Sequence, residues 1–257
     1  QLTLGGSAAA CVALFWSHGL PSRLLLPIVI IVGALAGALW AGVPALLKAL
    51  LKVDETLTTL MLNYVAILYS EHLYYGPWRD PHGYGFPGTA PFPEAAWLPR
   101  ILGRAHLGLV FAFVLAIVLW FVLKYTRWGF EIKIIGENQT AARYLGINIA
   151  RNIVLALLFS GSICGLAGVC EVTGASRRLQ NGLSVGYGYT AIIVAWMAQL
   201  NPIAVFFVAI LMGGLLVGGE QVQVVMGLPS AVALVLQGMI LFPMLAGSLF
   251  TEYRLLI

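Results

Sequence analysis

Charge is what this chain has least of. Of 257 residues, 9% are Asp, Glu, Lys or Arg, where a soluble globular domain carries roughly 25%. Cysteine is scarce too. Cys11, Cys164 and Cys170 stand in apolar stretches, with no C-x-x-C pair and no disulfide framework. The four histidines, His18, His72, His82 and His106, fall at the ends of apolar runs or between them, and none pairs with another at metal-ligand spacing. No G-x-x-x-x-G-K-S/T loop is present to cradle a nucleotide phosphate. Ser160-Gly161-Ser162 lies in an apolar run without a G-x-S-x-G frame, so it reads as a small-residue packing face. No basic block interleaved with aromatics offers a nucleic-acid surface. These absences remove the metal, thiol-redox, nucleic-acid and intramembrane-enzyme readings together.

What is present is apolar. Hydrophobic residues make up 60% of the chain and the mean hydropathy is +0.93. A soluble fold of this size could not hide so much apolar surface. The apolar runs are continuous over roughly 20 residues, the length that crosses the hydrocarbon as a helix, and lack the alternation of a barrel strand. The expected fold is an all-α polytopic integral membrane protein, a single transmembrane domain over 1–257. Seven spans are read, at about Leu2–His18, Leu24–Val43, Leu57–Leu73, Leu107–Leu123, Ile153–Val172, Ile203–Gly218 and Ala231–Ser248. A short amphipathic stretch, Pro44–Lys52, follows the second. The apolar part of Gly186–Leu200 is short and opens on glycines, which suits a half-helix or re-entrant segment. The pairs Gly213-Gly214 and Gly218-Gly219 read as close-packing positions.

The longest polar interruption that can be helical is Lys124–Arg151, KYTRWGFEIKIIGENQTAARYLGINIAR. It holds Lys124, Arg127, Lys133, Arg143 and Arg151, five of the fourteen Lys and Arg. By the positive-inside bias this segment faces the cytoplasm. Threading the spans from it puts eight basic residues inside, including every Lys, and six outside. The Pro-, Gly- and aromatic-rich segment 74–104 then lies outside. It has five prolines before Trp97 and cannot be a regular helix; it is either a structured interfacial cap or a docking surface for an external partner.

Within 124–151, Glu131–Ile135 reads as a short amphipathic element that Gly136 breaks. Glu137 or Asn138 then caps a helical run over Thr140–Leu145, and Gly146 suits its C-terminus. Two turns of helix persist only when packed on something. Ala141, Ala142 and Tyr144 offer a small, knobby surface for a partner's groove. Elsewhere, Glu55, Thr59 and Asn63 recur at i, i+4 and i+8 and share a helix face, with Leu57, Leu60, Met61 and Val65 opposite. That polar face serves either interhelical hydrogen bonds or a path for a polar solute, with Tyr64 placed to stack on it. Glu171, Gln199, Glu220, Gln221 and Gln223 sit at membrane boundaries.

At GENQTAARYLGI the chain resembles the coupling loop of bacterial ABC importer permeases of the branched-chain amino acid and simple sugar class. LLFSGSICGLAGV resembles that family's next helix, DETLTTLMLNYVA the helix of its nucleoside, basic-membrane-protein-linked branch, and GYGYTAIIVAWMAQLNP its later half-helix and turn. The resemblance covers most of Lys52–Gly247. It implies a multi-pass permease subunit of the bacterial inner membrane, surrounded by lipid and without nucleic acid. A second permease subunit, identical or homologous, would complete the path, and an external solute-binding protein or lipoprotein would deliver the solute. The chain would bind no cofactor and hydrolyse no ATP. ATP-Mg would sit on a cytoplasmic ABC ATPase subunit gripping Gly136, Glu137, Asn138, Ala141, Ala142, Tyr144, Gly146 and Ile147. Thr59, Asn63, Tyr64, Glu171 and Gln199 would line the path. A nucleoside is the expected cargo, with a ribose-like sugar or a branched-chain amino acid as alternatives. An ion-coupled carrier is the reading from another class, and the coupling loop speaks against it. The family's Gly-rich helix with a Glu-Gly step would precede Gln1, so the chain is expected to be part of a longer protein.

Overall fold

The computed structural model describes residues 1–227, apart from 18, 20, 84, 104, 184 and 185, with the isolated positions 231, 232, 235, 238, 239, 242 and 243. The span expected at Ala231–Ser248 lies largely outside the described residues, as do His18, Arg104, the Glu220 side chain and Arg254. The helices are α1 (Leu2–Phe15), α2 (Ser22–Leu51), α3 (Glu55–Tyr75), α4 (Gly108–Tyr125), α5 (Arg127–Glu137), α6 (Gln139–Tyr144), α7 (Ile149–Cys170), α8 (Tyr187–Met197) and α9 (Pro202–Met226). Among the described residues, four are long and apolar enough to cross a membrane: α2, α4, α7 with its extension to Ala175, and α9. The sequence suggests seven apolar runs, the last of them largely outside the described residues. The described α1 has 14 residues, α3 carries Glu55 and Glu71, and α8 has 11 residues, the length of a half-helix.

Two compact units divide the described residues: 1–111 with 123–185, and 112–122 with 186 onward. The first is built around α1, α2 and α7, which approach so closely that glycine lines their contacts. A Cβ on Gly37 would fall 2.7 Å from the Gly165 Cα, and one on Gly161 2.6 Å from the Gly37 carbonyl oxygen. A Cβ on Gly5 would overlap Gly165, and one on Gly168 would lie 2.8 Å from the Gly6 nitrogen. Small residues let backbones meet where lipid supplies no hydrophobic drive between helices. Within Ser160-Gly161-Ser162, Gly161 is therefore the packing position, whereas Ser160 is exposed. The pairs in α9 differ, since a Cβ on Gly213, Gly214 or Gly218 would meet nothing within 4 Å among the described residues.

Helix α2 runs unbroken through Pro27 and Pro44, so the stretch expected as a separate amphipathic element from Pro44 continues the span. Proline removes one backbone donor, and tight packing of neighbouring helices tolerates the loss; Pro44 is fully buried. The leucines on its outer side, among them Leu35, Leu39 and Leu50, are exposed as a lipid-facing stripe.

At the far end of α7 the helix widens into a π-helical turn, Glu171–Ala175. The segment 76–106 folds over this end as a structured cap. It contains a 3-10 turn (Glu94–Ala96) and two short antiparallel strands, β1 (Arg100–Leu102) and β2 (Ala105–His106). Backbone bonds tie it down: Thr89 N donates to Leu179 O at 2.8 Å, Phe92 N to Arg177 O at 2.9 Å and Leu98 N to Thr173 O at 3.2 Å. The Arg177 guanidinium lies 3.9 Å from the Trp97 ring centroid, a cation–π contact. Phe92 and Ala96 join the buried cluster formed by Ala9, Val29, Val169 and Leu179.

In the second unit, α8 and α9 are joined by a tight turn in which Gln199 and Leu200 take positive φ, 49° and 57°. Asn201 caps α9 by accepting from Ile203 N at 3.1 Å. The Phe113 and Phe206 rings lie 5.2 Å apart.

Candidate functional site

Three caps in succession shape the segment between α4 and α7. Thr126 Oγ1 accepts from Gly129 N at 3.2 Å and opens α5. Asn138 Oδ1 accepts from Thr140 N at 2.8 Å and Ala141 N at 3.1 Å and opens α6. Asn148 Oδ1 accepts from Arg151 N at 3.0 Å and opens α7. Each satisfies amides that a helix start leaves without partners. Gly146 adopts φ 74°, the left-handed turn that glycine enters freely, and lets Ile147 N reach back to Ala142 O at 3.0 Å, a Schellman-type closure of α6. The expected break at Gly136 does not occur. Gly136 lies inside α5, and the chain bends at Asn138, whose φ is −155°. A glycine inside a helix costs only about 1 kcal/mol, less than the bend gains from the Asn138 cap and the packing of α5.

The α5–α6 pair is fastened to the foot of α7. Asn152, 5% exposed, donates through Nδ2 to Glu131 Oε2 at 2.8 Å and to Asn148 O at 3.1 Å. Trp128 meets Phe159 edge to face at 5.7 Å. Ala142, expected on the outer surface, is instead fully buried, on a helix that packs against α5 and α7. Gly136, Glu137, Asn138, Ala141, Tyr144 and Gly146 are exposed, and Ile147 is half-buried. Tyr144 is 88% exposed. The sequence reading did not find the Glu131–Asn152 bond. Its signal was there: an Asn in the first turn of an apolar helix requires a partner, and Glu131 and Glu137 are the two carboxylates that most closely precede it.

Of the residues expected to line a path, Thr59, Asn63 and Tyr64 lie on α3, Glu171 opens the π-helical turn and Gln199 belongs to the other unit. Asp54 caps α3, its Oδ1 accepting from Thr56 N at 2.8 Å and Leu57 N at 3.1 Å. The Leu57 and Thr56 amides hold its carboxyl below the usual carboxylate range. Lys48, near the end of α2, pairs with Glu55. The Thr59 hydroxyl bonds within its own helix, donating to Glu55 O at 2.8 Å, with Thr56 O also near at 3.0 Å. Asn63 is half-buried, whereas Tyr64 is 60% exposed and turns outward. Glu171 is half-buried at the start of the π-helical turn. Gln199 is exposed at the turn in the other unit.

Helical periodicity extends the Thr59–Asn63 face up α3 to Ile67, Ser70 and Tyr74. There it reaches a cavity of about 110 Å³, whose polar lining is Thr3, Ser70, Glu71, Tyr74, Gln180 and Asn181. Ser70 Oγ lies 2.9 Å from Ser7 Oγ, a hydrogen bond between α3 and α1.

The pattern of long apolar helices and an exposed, capped hairpin between them has counterparts among known proteins. Residues 1–245 match the family described as branched-chain amino acid transport system / permease component. A glucose ABC transporter permease protein of Haloferax volcanii is 33% identical over 99% of this chain and 69% of its own length. A guanosine ABC transporter permease protein of Bacillus subtilis is 32% identical over 90% of this chain and 67% of its own length. A nucleoside ABC transporter permease protein of Lactococcus lactis is 28% identical over 77% of this chain and 57% of its own length. No solved structure matches the chain. The chain belongs to the branched-chain amino acid transport system permease family, as an ABC permease subunit of its sugar and nucleoside importers and an integral membrane protein.

Proposed function

We propose that this chain is the membrane half of an ATP-driven importer of the bacterial inner membrane, that α6 is its docking element for a cytoplasmic ATPase subunit, and that its cargo is a nucleoside. The observation that carries the reading is the α6 hairpin. It is capped at both ends, exposes Glu137, Ala141 and Tyr144, and is bound through Glu131 and Asn152 to α7. Helix α7 runs from that contact through the glycine-lined bundle to the π-helical turn under the cap. A displacement of α6 by a partner's nucleotide cycle would thus be delivered to the opposite end of the bundle. A packed interface transmits such shifts because it has discrete arrangements rather than a continuum of them. ATP-Mg stays on the partner, a second permease subunit completes the path, and an external binding protein or lipoprotein supplies solute.

The guanosine and nucleoside relatives support a nucleoside cargo. The glucose relative, similar over more of the chain, supports a sugar as the second reading. Glucose and guanosine share one chemistry, a ring bearing vicinal hydroxyls.

Two measurements test the proposal. Gly146→Val forces a branched side chain into left-handed backbone, so it should unwind the end of α6 and abolish co-purification of the ATPase subunit. Unchanged complex formation would remove α6 from the interface. Uptake of labelled guanosine should be saturable and weakly competed by glucose; the reverse order would assign the sugar.

A further inference from the structure

The cavity beside the cap has a chemistry that narrows what it can hold. Its walls come from the start of α1 (Thr3), the outer half of α3 (Ile67, Ser70, Glu71 and Tyr74) and the segment 179–183. That segment is held by the cap, since Leu179 N donates to Thr89 Oγ1 at 3.1 Å. The volume, about 110 Å³, is below the roughly 300–1,000 Å³ of pockets that enclose a drug-sized ligand. That is room for about one small ring. Among the described residues no Lys, Arg or His lines it, so these offer an anion no counter-charge. A carboxylate accepts from two adjacent hydroxyls at once, side-chain amides both donate and accept, and Ser and Thr hydroxyls rotate to suit. Ser70, 2% exposed, is fixed in place by Ser7 and by donation to Ala66 O at 2.9 Å. The apolar Ile67, Leu179 and Leu183 suit the C–H faces of a sugar ring. The cavity also continues the α3 face that carries Thr59 and Asn63.

We propose that this cavity is a subsite for a single vicinal-diol ring, furanose or pyranose, in which the Glu71 carboxylate takes the hydroxyl pair and Asn181 orients it. It deepens the importer reading and rests on it for the role of the site, while binding itself can be measured apart from transport. A base attached to the ring stays outside the cavity, so one subsite serves a sugar and a nucleoside alike. An amino-acid zwitterion brings no hydroxyl pair for Glu71, and among the described residues its carboxylate finds hydroxyl and amide donors but no cation.

Gln180→Cys, at a lining position that takes no part in the diol contact, places a thiol there for the test. The assembled transporter in membrane vesicles is labelled with a membrane-impermeant thiol reagent, with the unsubstituted protein as background. D-Ribose and guanosine should each slow labelling, whereas 2′,3′-dideoxyguanosine and L-leucine should not. Adding Glu71→Gln should weaken ribose protection by about tenfold or more, the loss of one hydrogen bond to a charged acceptor. Labelling that is indifferent to ribose, or slowed equally by leucine, overturns the subsite. Protection that survives Glu71→Gln unchanged overturns the assignment of the carboxylate. Loss of ATPase co-purification with ribose protection intact would instead overturn the importer reading and leave the subsite standing.

Discussion

Single residues divide sharply between those that hold the bundle and those with space around them. Gly165 sits where a Cβ would press on the Gly33 carbonyl, and overpacking of this kind costs about 1–3 kcal/mol or more. Gly165→Val should therefore lower the melting temperature in detergent or prevent recovery of folded protein. Gly213→Ala, where a Cβ meets nothing within 4 Å among the described residues, should change melting little; equal damage from both would show that the glycine contacts do not hold the bundle. His106 is the other telling residue. Its ring is flanked by Gly108 and Gly174, whose Cβ atoms would each fall 2.7 Å from it. Gly108 N donates to its Nδ1 at 3.1 Å, which fixes a lone pair there and puts the ring proton on Nε2. Burial lowers its pKa. The fold thus favours the neutral ring, so this stabilisation is complete above the unfolded value of about 6.5 and is lost as pH falls below it. Melting temperature should drop between pH 7.5 and 5.5, and His106→Gln should flatten that drop. An identical pH dependence in the variant would dissociate His106 from it.

At the scale of elements, the α5–α6 hairpin is the proposed lever, and the Asn152–Glu131 bond is its polar fastening to α7. Asn152→Leu removes the donor and leaves Glu131 facing an apolar side chain, a loss of roughly 1.5–3 kcal/mol for a hydrogen bond to a charged group. The expected result is an assembled transporter whose ATPase still turns over but whose uptake falls by about tenfold or more. Uptake and hydrolysis falling together, or neither changing, would dismiss the fastening as a coupling contact. The elements also mark what the sequence could and could not convey. Asn138, Gly146 and the exposed Tyr144 were legible because capping and left-handed turns are local chemistry. Unbroken passage through Pro44 and Gly136 was not, since packing and a neighbouring cap outweigh a breaker's local cost. The burial of Ala142 was hidden for the same reason: periodicity gives a face, and only the fold says what covers it. Thr59 and Asn63 share a face as their spacing requires, yet Thr59 bonds within its own helix. Tyr64 points outward, one position around the same turn. Glu71 escaped a reading confined to the α3 positions that also carry the family resemblance.

For the molecule as a whole, the sparse charge, long apolar helices and positively charged hairpin describe a protein whose chemistry lies in its contacts. In the first unit, α7 joins the capped α5–α6 hairpin to the segment 76–106, and the polar cavity lies beside that segment. On the proposed function, moving solute depends on what grips α6. The most direct measurement is cysteine cross-linking in intact membranes from Tyr144→Cys to the ATPase subunit, with Tyr64→Cys on the outward face of α3 as the reference position. The account predicts a permease–ATPase adduct from position 144, enhanced or diminished by nucleotide, and none from position 64. Absence of the adduct from 144, with that cysteine labelled from outside intact cells, would contradict it.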